Sequence, residues 1–239
     1  MGLKNINIFE KNEALHAGFT EFLGKLLANK ERISISLSGG ETPKGIFDYW
    51  ASTDKTIDWS RIDFFWGDER CVAPSDTESN FGMTKAHLLD KIHVSENQIF
   101  RIIGENDPKE EALRYGKVLE ENLPSVDGVP QFDLIILGLG TDGHTVSIFP
   151  HQMELWDSPA NCVVAQHPGS GQFRVSLTGK IVNNAVHVAF LATGAGKKEK
   201  VHAIVENREA FLERYPAARV NPKSGNLHWF LDQAAAQRL

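Results

Sequence analysis

Between Leu137 and Pro150 the chain reads LGLGTDGHTVSIFP, which places three glycines, an acid and a histidine directly after the apolar run Phe132–Leu137. Histidine titrates nearest neutral pH of all side chains, which suits His144 to take a proton from water. Asp142, two residues earlier, can orient that imidazole or stabilise its charge if the chain turns between them. Gly138, Gly140 and Gly143 also satisfy the G-x-G-x-x-G spacing of a dinucleotide-binding loop. Such a loop must lead into a long helix, and Pro150 leaves any helix starting near His144 less than about two turns. Asp157 lies near the distance expected of a ribose-binding acid, but it sits in Trp156-Asp157-Ser158-Pro159 and not at an evident strand end.

Two further stretches carry chemical residue types. In SLSGGETPKGIF, Ser36 to Phe47, an apolar strand runs into Ser38-Gly39-Gly40, with Thr42 expected as N-cap and Pro43 as first helical residue. Glycines permit close backbone approach, and a helix N-terminus offers free N–H groups and a favourable dipole, so the segment reads as a phosphate seat or as an ordinary strand-to-helix turn. It is not a Walker loop. In FFWGDERCV, Phe64 to Val72, a strongly apolar strand empties into Asp68-Glu69-Arg70. These charges form either a solvated turn or part of a crevice, where Arg70, charged at any working pH, can bind an anion or a developing oxyanion.

The elements that must position these residues follow from the pattern. Short β-branched or aromatic runs recur at Asn5–Phe9, Ile33–Leu37, Ile62–Trp66, Ile99–Ile103, Phe132–Leu137, Cys162–Gln166 and His187–Leu191, mostly with helix-like segments between them. The alternation predicts an α/β fold with a largely parallel sheet flanked by helices. Asp107-Pro108 offers an N-cap and first-turn proline to a helix ending near Asn122, and Lys197–Glu206 and Leu227–Ala236 are further helix candidates. No stretch reads as a domain linker, so residues 1–239 are expected to form one domain. In open α/β sheets ligands bind beyond the carboxyl ends of the strands, where all three chemical stretches fall.

Composition narrows the classes of function. A net charge of −6 argues against nucleic-acid or anionic-membrane partners, so an anionic ligand needs a local cluster of positive charge. No apolar stretch reaches the roughly 20 residues needed to span a bilayer. The opening Met1–Ile6 lacks the apolar core of a signal peptide and fits no myristoylation motif, so a cytoplasmic location is expected. Cys71 and Cys162 fit no Cys-x-x-Cys pattern and are expected to be reduced and buried. There is no Gly-x-Ser-x-Gly elbow for a serine hydrolase and no His-Glu-x-x-His pair for zinc, so no metal is expected.

Taken together, SLSGGETP, FFWGDERCVAPSDTESNFGM, FDLIILGLGTDGHTVSIFP, FRVSLTGKIVNNAVHVAFLATGAGKK and YPAARVNPKSGNLHWFLDQAAA resemble the 6-phosphogluconolactonases, within the glucosamine-6-phosphate isomerase/deaminase-like superfamily. The segments stand in the family's order and span most of the chain. The resemblance implies a Rossmann-like fold without a nicotinamide or other cofactor. It also implies a small-molecule substrate, 6-phospho-D-glucono-1,5-lactone, hydrolysed to 6-phosphogluconate in the oxidative pentose phosphate pathway. By the same resemblance His144 is the general base, supported by Asp142. Ser38, Gly39, Gly40 and Thr42 form the turn near the sugar phosphate, Lys197 helps bind that phosphate, and Arg174 shares the crevice. Arg70 and Asn80 match polar positions of the second motif, and Asp68 aligns with a base of the related deaminases. Those deaminases carry an acid five residues after the histidine, where this chain has Phe149, and Met-Asp-Glu-Tyr where it has Gly67-Asp68-Glu69-Arg70. The alternatives are a deaminase-like sugar-phosphate enzyme and a non-catalytic sugar-phosphate-binding regulator.

Overall fold

The computed structural model describes residues 5–52 and 56–239; residues 1–4 of the opening segment read above lie outside it. In chain order the first elements are β1 (Asn5–Phe9), α1 (Asn12–Ala28), β2 (Ile33–Leu37), α2 (Glu41–Ser52), β3 (Ile62–Trp66), β4 (Asp68–Arg70), α3 (Asn80–His87), β5 (Ile99–Phe100) and α4 (Pro108–Asn122). They are followed by β6 (Ser125–Val126), β7 (Val129–Pro130), β8 (Leu134–Leu137), β9 (Cys162–Gln166), β10 (Phe173–Leu177), α5 (Gly179–Asn184), β11 (His187–Ala192), α6 (Lys198–Asn207) and β12 (Leu227–Asp232).

Seven strands form the central sheet in the order β1-β12-β11-β8-β2-β3-β5, every neighbouring pair parallel. A parallel sheet covered on both faces needs strands that are apolar throughout, and every residue of β2 and β8 is buried. On α1, Leu15, Phe19, Leu23 and Leu27 recur at helical spacing and are buried; Phe19 meets Phe230 of β12 edge to face, ring centres 5.0 Å apart. From β2 the chain moves outward to β3 and β5, whereas from β8 it moves the other way to β11 and β12. The order therefore reverses between β2 and β8, the position at which open α/β sheets leave a crevice for ligand.

A second, antiparallel sheet, β4-β10-β9, stands beside the first. Gly67 makes the corner between them: its N–H donates to Leu37 O (2.8 Å) and its carbonyl accepts from Leu177 N (2.9 Å). Buried Tyr115 of α4 locks the same corner, its hydroxyl accepting from Trp66 N (2.9 Å) and donating to Trp66 O (3.0 Å).

Several local expectations are corrected. Leu227–Ala236 is not a helix: Leu227–Asp232 is strand β12, paired with β1 on one side and β11 on the other. Its buried Trp229, Phe230 and Leu231 complete the sheet, and that pairing overrides the helix-forming tail of alanines. Cys162–Gln166 is a strand, but in the small sheet, and the strand begun at Ile99 ends at Phe100. The Asp107 cap is as read, accepting from Lys109 N (2.9 Å) and Glu110 N (3.1 Å) ahead of Pro108. No helix among the described residues is long and apolar enough to cross a membrane.

Candidate active site

At the end of β2, Ser38-Gly39-Gly40 turns into α2. A side chain at Gly39 would put its Cβ 1.8 Å from Asn80 Oδ1, so glycine is what lets the Asn80 amide lie against this turn. Gly40 adopts φ +103°, a backbone conformation that suits glycine. Its carbonyl accepts the first helical bond, from Lys44 N (3.1 Å), so Gly40, not Thr42, caps the helix, and Glu41 is the first helical residue. The Thr42 hydroxyl is instead 2.7 Å from that of Thr193, tying the turn to the loop after β11. The unpaired N–H groups of the first helical turn and the helix dipole favour an anion here.

Across the crevice, β4 separates its side chains by alternation. Glu69 (2% exposed) points away, accepting from Arg70 N, Asn80 N, Phe81 N and Ser79 Oγ at 2.7–3.1 Å. It anchors the start of α3, and burial holds its carboxyl above the usual range against the pull of those N–H groups. Asp68 and Arg70 face the crevice. Asp68 Oδ2 accepts from Ser147 Oγ at 2.5 Å, and the Asn80 amide donates to the Asp68 carbonyl at 2.9 Å. Arg174, opposite Arg70 in the β4–β10 register, lies with its guanidinium carbon 5.6 Å from the centre of the Phe149 ring. Its Nη1 is 3.5 Å from Ser147 Oγ. The Nε atoms of Arg70 and Arg174 are buried without partners among the described residues.

The loop after β8 supplies the titratable pair. His144 Nδ1 lies 2.6 Å from Asp142 Oδ1, and the same oxygen accepts from His144 N at 3.1 Å. Burial favours the protonated carboxyl, but the hydrogen bonds and charge of His144 outweigh it and pull Asp142 down to about 2. Gly140 is required beside the pair, because an added Cβ would fall 2.2 Å from His144 Nδ1. Gly143, at φ +94°, packs against Tyr215, and its carbonyl accepts from Ala217 N at 3.1 Å. No long helix follows, so the dinucleotide reading fails here as the proline implied. Instead the chain reverses through Val146 at φ +45°, a strained conformation for a β-branched residue, with Ile148 N bonded to Thr145 O (3.1 Å). Ser147 N is held by Ser176 Oγ at 3.1 Å, which aims the Ser147 hydroxyl at Asp68.

These walls enclose an open cavity of about 270 Å³. Ser38, Gly39, Gly40, Asp68, Arg70, Asn80, His144, Arg174 and Lys197 line it. Asp142 stands behind His144, and Thr42 lies outside the lining. Lys197 is half-buried; burial pulls its ammonium pKa down and the Asp142 carboxylate opposes that. Three cations thus gather in a chain of net negative charge. Sequence reading passed over Ser147, which bridges Asp68 and Arg174, and Glu69 as an internal anchor. Both face inward because of tertiary contacts; Ser147 at least stands between apolar Val146 and Ile148, whereas Glu69 stands between Asp68 and Arg70 and carries no local signal of burial. Burial pushes the Cys71 thiol up to about 11 and the Cys162 thiol higher still, so both stay protonated, although Cys71 is only half-buried. Among the described residues no group of three or more His, Cys, Asp or Glu is arranged to hold a metal ion.

The chain is 43% identical over 205 residues to the 6-phosphogluconolactonase of Treponema pallidum, covering 85% of each chain. Its fold matches the crystal structure of the devB protein with a TM-score of 0.93 at 41% identity, covering 99% of this chain and all of that one. It matches 6-phosphogluconolactonase from Trypanosoma brucei with a TM-score of 0.85 at 27% identity over the whole of both chains. Residues 10–229 match the family described as glucosamine-6-phosphate isomerases/6-phosphogluconolactonase, and the chain belongs to that family.

Proposed function

We propose that the protein hydrolyses 6-phospho-D-glucono-1,5-lactone to 6-phosphogluconate. The observation that carries this reading is His144, held by Asp142, lining a cavity that is also lined by the glycine turn at the start of α2 and by Lys197. The substrate phosphate docks on the Ser38–Gly40 turn and Lys197, which sets C1 of the lactone near His144. With Nδ1–H donated to Asp142, the neutral imidazole presents the Nε2 lone pair to water. Nε2 takes a proton as the water oxygen attacks C1, and Asp142 stabilises the imidazolium that forms. The tetrahedral oxyanion then collapses, the bond from C1 to the ring oxygen breaks, and Nε2 returns its proton to that oxygen. General-base help of this kind is worth about 10²–10⁴-fold.

Within the loop the N–H groups of Gly140, Gly143 and His144 are already bonded internally. Among the described residues, Thr141 N–H and the Arg70 guanidinium are the candidate donors to the oxyanion, each of a kind worth about 10²–10³-fold. A deaminase reading would want an acid at position 149, and there the chain has a buried phenyl ring under His144, centres 4.8 Å apart. The test is acid release from freshly generated lactone, corrected for spontaneous hydrolysis. The reading requires a protein-dependent rate at catalytic concentration, and a folded sample that gives none overturns it.

A further inference from the structure

Strands β11 and β12 are parallel neighbours, so their carboxyl ends stand side by side. The loop leaving β11 is Thr193-Gly194-Ala195-Gly196-Lys197, and β12 ends at Asp232. Gly194 adopts φ +89° and ψ 149°, a region open essentially to glycine alone. It opens a tight turn, Ala195–Lys197, closed by Lys197 N donating to Gly194 O at 3.1 Å. The turn runs directly into α6 at Lys198.

This loop is fastened by two consecutive residues. The Thr193 hydroxyl meets that of Thr42 in the first turn of α2 at 2.7 Å. The Gly194 N–H donates to both carboxylate oxygens of Asp232, at 3.0 and 2.9 Å. Asp232 Oδ1 also accepts from Ala235 N at 2.7 Å, a local turn bond for which one oxygen suffices. The bond to Gly194 crosses 38 positions of sequence, and a charged acceptor makes it stronger than a neutral one. Asp232 is itself fixed, because its strand residue pairs with Phe9 and the next residue, Gln233, donates its N–H to Phe9 O at 3.0 Å.

Among the described residues no hydrogen bond or ion pair holds the Lys197 ammonium, so the backbone that carries it decides where it sits. The carboxylate whose charge acts on that ammonium is Asp142; Asp232 reaches Lys197 through the main chain. We propose that Asp232 is a positioning residue: by gripping the Gly194 amide it sets the Ala195–Lys197 turn so that Lys197 lines the same cavity as the Ser38–Gly40 turn. This rests on the reading of Lys197 as a ligand of the substrate phosphate.

The test is calorimetric binding of 6-phosphogluconate to the unsubstituted protein, Asp232→Asn, Lys197→Ala and the double variant. Asparagine keeps an oxygen for Ala235 N, but its NH2 group meets the Gly194 N–H donor to donor. Asp232→Asn should raise Kd about five- to tenfold, the scale of one net hydrogen bond, and Lys197→Ala should raise it further. Because Asp232 acts through Lys197, the double variant should bind within about twofold of Lys197→Ala alone. On the lactone, kcat of Asp232→Asn should stay close to that of the unsubstituted protein. An unchanged Kd in Asp232→Asn overturns the proposal, as do losses that multiply in the double variant. A kcat that falls as far as the affinity marks general damage to the site and overturns it too.

Independently of any variant, the Gly194 amide of the unsubstituted protein should exchange slowly with solvent before ligand is added, because the turn is already set. A freely exchanging amide overturns the proposal. An unsubstituted protein that binds 6-phosphogluconate but leaves the lactone untouched refutes the lactonase reading alone. Undiminished binding by Lys197→Ala, or no binding by the unsubstituted protein, overturns the phosphate seat and this proposal with it.

Discussion

Alanine at Gly140 would place its Cβ 2.2 Å from His144 Nδ1 and 2.5 Å from Asp142 Oδ1. Gly140 does not use the left-handed backbone region, so alanine is not strained there by φ, and the three atoms nearest the added Cβ all belong to the pair. An ordinary contact is near 3.4 Å, which obliges the imidazole to withdraw by about 1 Å, a misplacement that typically costs about 10²-fold in rate. The expected outcome is a kcat lowered about 10²-fold, with KM changed far less because the proposed phosphate seat, the Ser38–Gly40 turn and Lys197, is untouched. The assay is initial-rate acid release from freshly generated lactone, with melting temperature as control for folding. A folded Gly140→Ala protein that keeps kcat within about twofold of the unsubstituted protein would refute the claim that the geometry of this pair governs the reaction.

Asp142→Asn keeps a hydrogen-bond acceptor but removes the charge that favours imidazolium. It should lower kcat about tenfold and move the acid limb of the kcat/KM profile to lower pH, by less than loss of a fully buried charge would give because the carboxylate is 41% exposed and screened by solvent; an unmoved limb contradicts this. Lys197→Ala should raise KM for the phosphorylated lactone about 10- to 100-fold, the range for a lost charge-assisted bond, and leave the unphosphorylated lactone little affected. An equal effect on both removes Lys197 from the phosphate seat. At the opposite end of the sheet, His228 lies 3.2 Å from His187; burial, then the charge of His187, hold it down to about 4, against about 6.5 in an unfolded chain. The unfolded chain therefore takes up its proton first on acidification, so stability present above pH 6.5 is lost as pH falls toward 4. Melting temperature should fall less steeply across that window in His228→Gln, and parallel curves would contradict the linkage.

What sequence could tell and what it could not divide along physical lines. The strands buried on both faces, Ile33–Leu37 and the core of the Phe132–Leu137 run, declare themselves by apolar continuity, and the glycines after them mark the crevice. The Asp107-Pro108 cap is a local signal, and it held. Thr42 was misread because capping depends on where the first helical carbonyl falls, and Gly40 at positive φ moves that point two residues earlier. The Leu227–Ala236 error has the same origin: only the neighbours β1 and β11 make that segment a strand. Ser147 and Phe149 follow His144 by a few residues, yet their roles come from Asp68 and Arg174, which are distant in sequence. No pattern in one sequence reveals that Asp68 is bonded across 79 positions.

The central claim is that His144 removes the proton from the attacking water, and His144→Ala tests it most directly. In a folded variant assayed with freshly generated lactone, kcat should fall about 10²–10⁴-fold while KM stays near that of the unsubstituted protein, since the Ser38–Gly40 turn and Lys197 remain. A kcat close to that of the unsubstituted protein would contradict the account and require a different base.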